Sequence, residues 1–428
     1  MNIFFIIIFF IFIYSCKPLI DYNIVGGKTI KENREKTSNV SSDYDKNDNE
    51  TDGTIILDVK QEGYNLEINN NVNVVLPNIN KYKYLSDSFL NSLEIAVFDL
   101  NNKSITYNIN QYESAQDLEY FFSQDGNSNK IFIGPLTSEE TKVAKNYCNK
   151  NIIVFSFASD RSLAGDCIYL FNFFIEDDLR AIFDFLDKDS KVALLYPNNN
   201  YGNYVNLVIN DIAKNSEATL IYKLPYEEDL SNIRNTIKNL GKYEFRKDEL
   251  NRQIEILKQR NDEISLASIK KLEKFETIGE LDFTHLIISD GNIRILELAP
   301  LLPFYDIDPD RVKFVGTGLW DEKSFFEEPS LQGAFFPGIE ISLREKFIKE
   351  YIKLYYMPPP RTATVMYDVV TLTNYLYNNF NSISEMNNFL ESENIFFGLD
   401  GKFSIKNNIV KRELSILKIN DGKANLIN

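Results

Sequence analysis

The sequence predicts an α/β protein built of two doubly wound lobes, each a mostly parallel sheet with helices on both faces. Three observations carry that expectation. From residue 71 onward, short apolar runs that read as strands alternate with segments of helical spacing. Such alternation means βαβ units, whose crossovers are right-handed and whose sheets are covered on both sides. The series also restarts twice, and 428 residues exceed one domain of roughly 100–200 residues.

In chain order, residues 72–77 read as a strand closed by Pro77, and 88–98 as a helix. Strand 105–109, helix 114–122, strand 130–133, helix 138–148 and strand 152–157 follow. After an apolar run at 168–173, a second series holds helix 175–186, strand 192–197, helix 202–214 and strands 219–226 and 284–289. A third series opens with a strand at 312–316 and is read as a return to the first lobe. The expected first lobe is therefore 71–174 with 312–410, and the second 175–311 with 411–428. Both should carry ligand-facing loops at the carboxyl ends of their strands.

Residues 243–276 interrupt this rhythm. They contain no Gly or Pro and are dense in Lys, Arg, Glu and Gln, with Leu250, Ile254, Leu257, Ile264, Leu272 and Phe275 near one stripe. Two readings fit: a long surface helix or helical hairpin packed on the second lobe, or an arm that meets a partner.

Composition removes several function classes. Lys and Arg number 46 against 62 Asp and Glu, a net charge of −16 with a pI near 4.8. That balance excludes a nucleic-acid partner, which needs clustered cations. His285 is the single histidine and falls in an apolar strand, so no multi-histidine metal cage is expected. Three cysteines cannot form a four-cysteine zinc site. Glu176, Asp177 and Asp178 suit a helix's first turn, where acids are favourable, better than a catalytic pair. The 306–310 segment lacks the glycine and closing glutamate of a calcium loop, and Gly316-Thr317-Gly318 lacks the third glycine of a dinucleotide fingerprint. No enzyme, metal or cofactor is expected.

The first sixteen residues stand apart. Residues 3–13 are an unbroken apolar run of eleven, the length of a signal-peptide core rather than a membrane span. The run ends Ile13-Tyr14-Ser15-Cys16, which resembles a bacterial lipoprotein box with Cys16 as the lipidated residue. An uncleaved short anchor is the other reading, and both tether an exported protein to a membrane. Residues 17–70 read as a flexible tether, because the polar stretch at 31–52 offers little to bury.

Ile133-Gly134-Pro135-Leu136, the segment Phe155-Ser156-Phe157-Ala158-Ser159-Asp160-Arg161-Ser162, and Tyr201-Gly202 resemble the type 1 periplasmic binding fold of branched-chain amino acid receptors. Further along, Gly279-Glu280-Leu281-Asp282-Phe283, the 298–309 segment, Gly316-Thr317-Gly318-Leu319-Trp320-Asp321, Pro359-Pro360-Arg361-Thr362-Ala363 and Tyr367-Asp368 resemble the penicillin-binding protein activator lipoproteins. The 243–276 insertion is also similar to that family. The acidic Asp-Thr-Gly-Gly usual after the second strand is here Asn108-Ile109-Asn110-Gln111.

The resemblance implies a non-catalytic periplasmic lipoprotein, on the outer membrane by family analogy, that activates a peptidoglycan synthase of the penicillin-binding protein class by direct contact. The rival is a receptor that feeds a small ligand, an amino acid or similar, to an ABC permease. Carried over by position, Ser138, Ala158 and Ser159 fall where the first lobe would hold a ligand. Tyr201 and Asp290 match the second lobe's face of the cleft. Each has a plainer reading, such as Ser138 as a helix cap, and the cleft is either filled or empty. Cys148 and Cys167 either bridge, as an oxidising compartment allows, or remain two separate thiols.

Overall fold

The computed structural model describes residues 23–25, 54–56, 70–124, 130–260, 262–291 and 293–427. Cys16 and the signal segment lie outside the described residues. Two mostly parallel sheets organise the chain, the pair of doubly wound lobes that the alternation predicts.

The first sheet has the order Ile105–Tyr112, Asn70–Pro77, Lys130–Ile133, Ile152–Ser156, Ile168–Leu170, Ile409–Arg412, Gly401–Lys406, Ile395–Gly398. Its first six strands run parallel, and Gly401–Lys406 turns antiparallel to both of its neighbours. Central strands such as Ile152–Ser156 are buried throughout, as expected where helices cover both faces. One cover is the helix Lys83–Leu100, which buries Phe89, Leu93, Ala96 and Val97 at spacings of four, three and one. It packs on Ala363–Asn379, a helix buried almost all round because its other neighbour is the sheet core.

The second sheet has the order Lys423–Leu426, Ser415–Asn420, Phe335–Gly338, Lys313–Gly316, His285–Ile288, Lys191–Pro197, Thr219–Tyr226. Here the expected boundary moves. The strand that begins near Val312 does not return to the first lobe: Lys313–Gly316 pairs in parallel with His285–Ile288, and Phe335–Gly338 adds beside it. The reason is physical, since an apolar strand buried on both faces carries no mark of which parallel neighbour it will choose. The chain re-enters the first lobe only at the helix Glu345–Tyr355, which packs on Lys83–Leu100.

Two pieces of the expected tether are strands. Asn23–Val25 pairs antiparallel with Ile105–Tyr112, and Thr54–Ile56 pairs parallel with Ile395–Gly398, one at each edge of the first sheet. The 243–276 insertion forms two packed helices, Tyr243–Arg260 and Glu263–Leu272. Its base is pinned by Arg246, whose guanidinium donates to the Gly241 carbonyl at 2.8 Å and to Asp306 at 3.0 Å.

The chain crosses between the sheets three times, at 171–174, 339–344 and 413–414. Cys148 and Cys167 form a disulfide inside the first lobe, with Cα atoms 5.3 Å apart. Among the described residues, no helix is long and apolar enough to cross a membrane.

Candidate functional site

A hollow of about 330 Å³ opens at the carboxyl ends of the first lobe's parallel strands. Each wall follows from the strand beneath it. Past Lys130–Ile133 the chain turns through Gly134, whose φ of +108° and closeness to Val75 admit no side chain: a Cβ would lie 2.0 Å from the Val75 carbonyl oxygen. That turn delivers Leu136, Thr137 and Ser138. Past Ile152–Ser156 come Phe157 and Ser159, and past Ile168–Leu170 come Phe171 and Asn172. Tyr82, Leu85 and Phe89 close one side, Thr362 and Val365 another.

The polar scaffold under these loops is already satisfied. Ser156 Oγ accepts from the Ala158 N–H at 3.1 Å and shares a hydrogen with Thr141 Oγ1 at 2.7 Å. Asn172 donates to the Phe157 carbonyl at 2.7 Å and accepts from the Phe173 N–H at 2.8 Å, bracing two loops with one side chain. The helix Ser138–Lys145 is capped by Thr137 rather than Ser138, through a reciprocal box with Glu140. Ser138 instead accepts from the Asp160 N–H at 3.3 Å.

Of the residues expected in the cleft, Ser138 and Ser159 line the hollow. Ala158 lies beneath it, fully buried. Tyr201 and Asp290 sit in the second lobe and are occupied by it. The Tyr201 hydroxyl accepts from Ser289 at 3.2 Å, and burial pushes its pKa up to about 12. Asp290 takes two hydrogen bonds from Arg294 at 2.7 Å each, one from the Gly291 N–H, and one from the Tyr226 hydroxyl. His285 is half-buried beside Thr284, and its burial lowers its pKa.

The acidic run 176–178 is buried and divided among three partners. Glu176 accepts from the Tyr204 hydroxyl, Asp177 from Arg180 at 3.1 Å, and Asp178 from the Gly318 N–H at 2.8 Å. Arg161 of the first lobe lies 3.6 Å from Glu176 and 3.9 Å from Asp177. Burial pushes Asp178 up to about 7, against the pull of the Gly318 N–H.

Sequence reasoning missed a dense cluster of buried charge. Asp321, Arg344, Arg361, Asp368, Asp400 and Arg412 form a buried ionic cluster at the three crossings. Arg361 reaches Asp321 at 2.9 Å and Asp400 at 2.7 Å, Arg344 also bonds Asp321, and Arg412 reaches Asp368 at 3.1 Å. Phe173, on the first crossing, takes the Arg361 guanidinium at 4.0 Å and that of Arg412 at 4.9 Å from its ring centre. Burial raises the Asp400 pKa, but the three arginines outweigh it and hold the carboxyl below its usual range. Burial of Asp368 wins over Arg412 and raises its pKa. The available signal was the trio Asp321, Arg361 and Asp368, all inside the motifs quoted for the family resemblance.

No protein-family model and no curated protein matches this sequence. Solved structures do. A leucine complex of an ABC transporter substrate-binding protein from Desulfitobacterium hafniense is 14% identical at a TM-score of 0.57, with 84% of this chain and 99% of that one covered. A putative branched-chain amino acid ABC transporter protein from Rhodospirillum rubrum is 11% identical at 0.64, over 84% and 99% of the chains. A solute-binding protein from R. palustris in complex with benzoate is 13% identical at 0.53, over 84% and 95%. At these identities the likeness is one of architecture, and the chain has the two-lobed type 1 periplasmic binding protein fold.

Proposed function

We propose that the chain is a non-catalytic substrate-binding receptor, which takes a small organic molecule between its lobes and presents it to an ABC permease. The observation that carries this reading is the hollow at the first lobe's strand ends, in a chain whose second lobe is joined to the first by three crossings. In a protein of this form, ligand contacts with both lobes favour the closed arrangement by the difference in affinity between the two states. The structures it resembles include complexes with leucine and benzoate, which supports a ligand of that size. An exported, periplasmic chain held by lipid on Cys16, at the outer membrane by analogy, belongs to the same proposal.

Contact with a penicillin-binding protein synthase is the second reading. The helical pair Tyr243–Arg260 and Glu263–Leu272 favours it, because Phe245, Ile264 and Phe275 are exposed on or beside it. Thermal-shift screening of the full chain against small amino acids and organic acids separates the two readings. A receptor gains several degrees with at least one compound and loses that gain in Ser159→Trp. A chain that no compound stabilises, yet that crosslinks to a synthase through the helical pair, would overturn the receptor reading.

A further inference from the structure

We infer that the ligand of this hollow carries no ammonium group: it is an apolar molecule whose polar end is a carboxylate or hydroxyl, not an α-amino acid. The inference rests on the receptor reading above and narrows it.

The walls are apolar or neutral. Leu85, Phe89, Leu136, Phe157, Phe171 and Val365 supply hydrocarbon, and Phe89 meets Phe157 edge to face at 4.7 Å. The polar lining is hydroxyl and amide, from Tyr82, Thr137, Ser138, Ser159, Thr362 and Asn172, with no acid among the lining residues. An ammonium enclosed by such walls would lose its water without gaining a counter-charge, which costs several kcal/mol in general.

The acids of the surrounding edge already hold protein donors. Glu140 accepts from the Thr137 N–H at 2.9 Å, and Asp160 from Ser162 through its N–H and hydroxyl at 3.0 and 2.6 Å. Glu176 is held by Tyr204, and Asp290 by Arg294, Tyr226 and Gly291. The nearest cation is itself engaged, since Arg161 faces Glu176 at 3.6 Å and Asp177 at 3.9 Å. Arg161, two residues past Ser159, has a buried Nη1 without a hydrogen-bond partner. In the second lobe, the loop after Lys313–Gly316 carries Leu319, 47% exposed and packed against Gly291. The first lobe's face therefore offers hydrocarbon with neutral hydroxyl and amide groups.

Isothermal titration of the full chain with matched pairs tests this: leucine against 4-methylpentanoate and 4-methylpentan-1-ol, and phenylalanine against 3-phenylpropanoate. The expected result is at least tenfold tighter binding of a deaminated partner than of its amino acid. The acid and alcohol arms identify which oxygen group is read. Ser159→Asp, which adds the missing carboxylate, should move the ratio at least tenfold toward the amino acid. Equal or tighter binding of the amino acid by the native chain overturns the inference and leaves the receptor reading standing. Absence of binding by every compound in the set overturns both. An unmoved ratio in Ser159→Asp overturns the placement of the polar end at that residue.

Discussion

Arg361 of the first lobe donates to Asp321 of the second at 2.9 Å, so a buried ion pair fastens the lobes where the chain crosses between them. Asp321 also receives Arg344 from the second crossing, and Arg361 continues to Asp400. Three arginines thus meet three aspartates in a site that water scarcely reaches. Cancelling charge makes this burial tolerable, and losing one member leaves a bare charge behind.

Asp321→Ala should therefore lower unfolding stability by about 3–5 kcal/mol, the usual cost of breaking a buried pair from one side. Urea unfolding followed by far-UV circular dichroism measures it. A loss below about 0.5 kcal/mol, the range of surface substitutions, would show that the pair does not hold the lobes.

Asp178 gives a pH signature. Its folded pKa of about 7 stands above the ordinary carboxyl value of 3.8, so between those values the folded chain keeps a proton that the unfolded chain has lost. Stability from this group is full below the unfolded pKa and falls as pH rises toward 7, by up to about 1.4 kcal/mol per pH unit. Asp178→Asn removes that slope. Unfolding midpoints of the native chain and the variant should diverge between pH 4 and 7 and run parallel above. Parallel curves throughout would reject the assignment.

The Cys148–Cys167 bridge closes a loop of sequence separation 19. In the chain-entropy account such a loop stabilises by about 3 kcal/mol, so the Cys148→Ser, Cys167→Ser double variant should unfold correspondingly earlier. Reductant should then shift the native chain and leave the double variant unmoved. Equal response of both proteins counts against a formed bridge.

Gly316 lies against the indole of Trp320, and a Cβ there would sit 1.9 Å from the ring. Trp320 is fully buried and donates from its indole nitrogen to the Asp290 carbonyl at 3.1 Å, so it has little freedom to retreat. Gly316→Ala should cost about 1–3 kcal/mol, the scale of overpacking. Trp320 fluorescence during unfolding reports it, since this is the single tryptophan. An unchanged midpoint would mean that the ring relaxes freely.

How far the sequence could be read depended on the range of the interaction. Ile152–Ser156 and Lys191–Pro197 were legible because strands buried on both faces read as continuous apolar runs. The sheet that Lys313–Gly316 joins was not, because its partner is chosen by packing between distant segments. Ser138 and Ser159 lie at turns that local pattern locates, and both reach the hollow. Asp290 matches the second lobe's face of the cleft by position, yet Arg294 stands four residues on, a helical spacing that marks it as the partner of that carboxylate. The ionic cluster joins six residues from separate elements, and no local period connects them.

The interleaving of the sheets also sets an order of assembly. Ile395–Gly398, Gly401–Lys406 and Ile409–Arg412 complete the first sheet, yet the ribosome makes them after most of the second. Until Ala363–Asn379 emerges, the nascent helix Lys83–Leu100 has no cover for Phe89 and Leu93. The N-terminal half must therefore wait, collapsed but unfinished, while the second lobe is made, and a stalled or truncated chain would leave that apolar face open to aggregation and to chaperone capture.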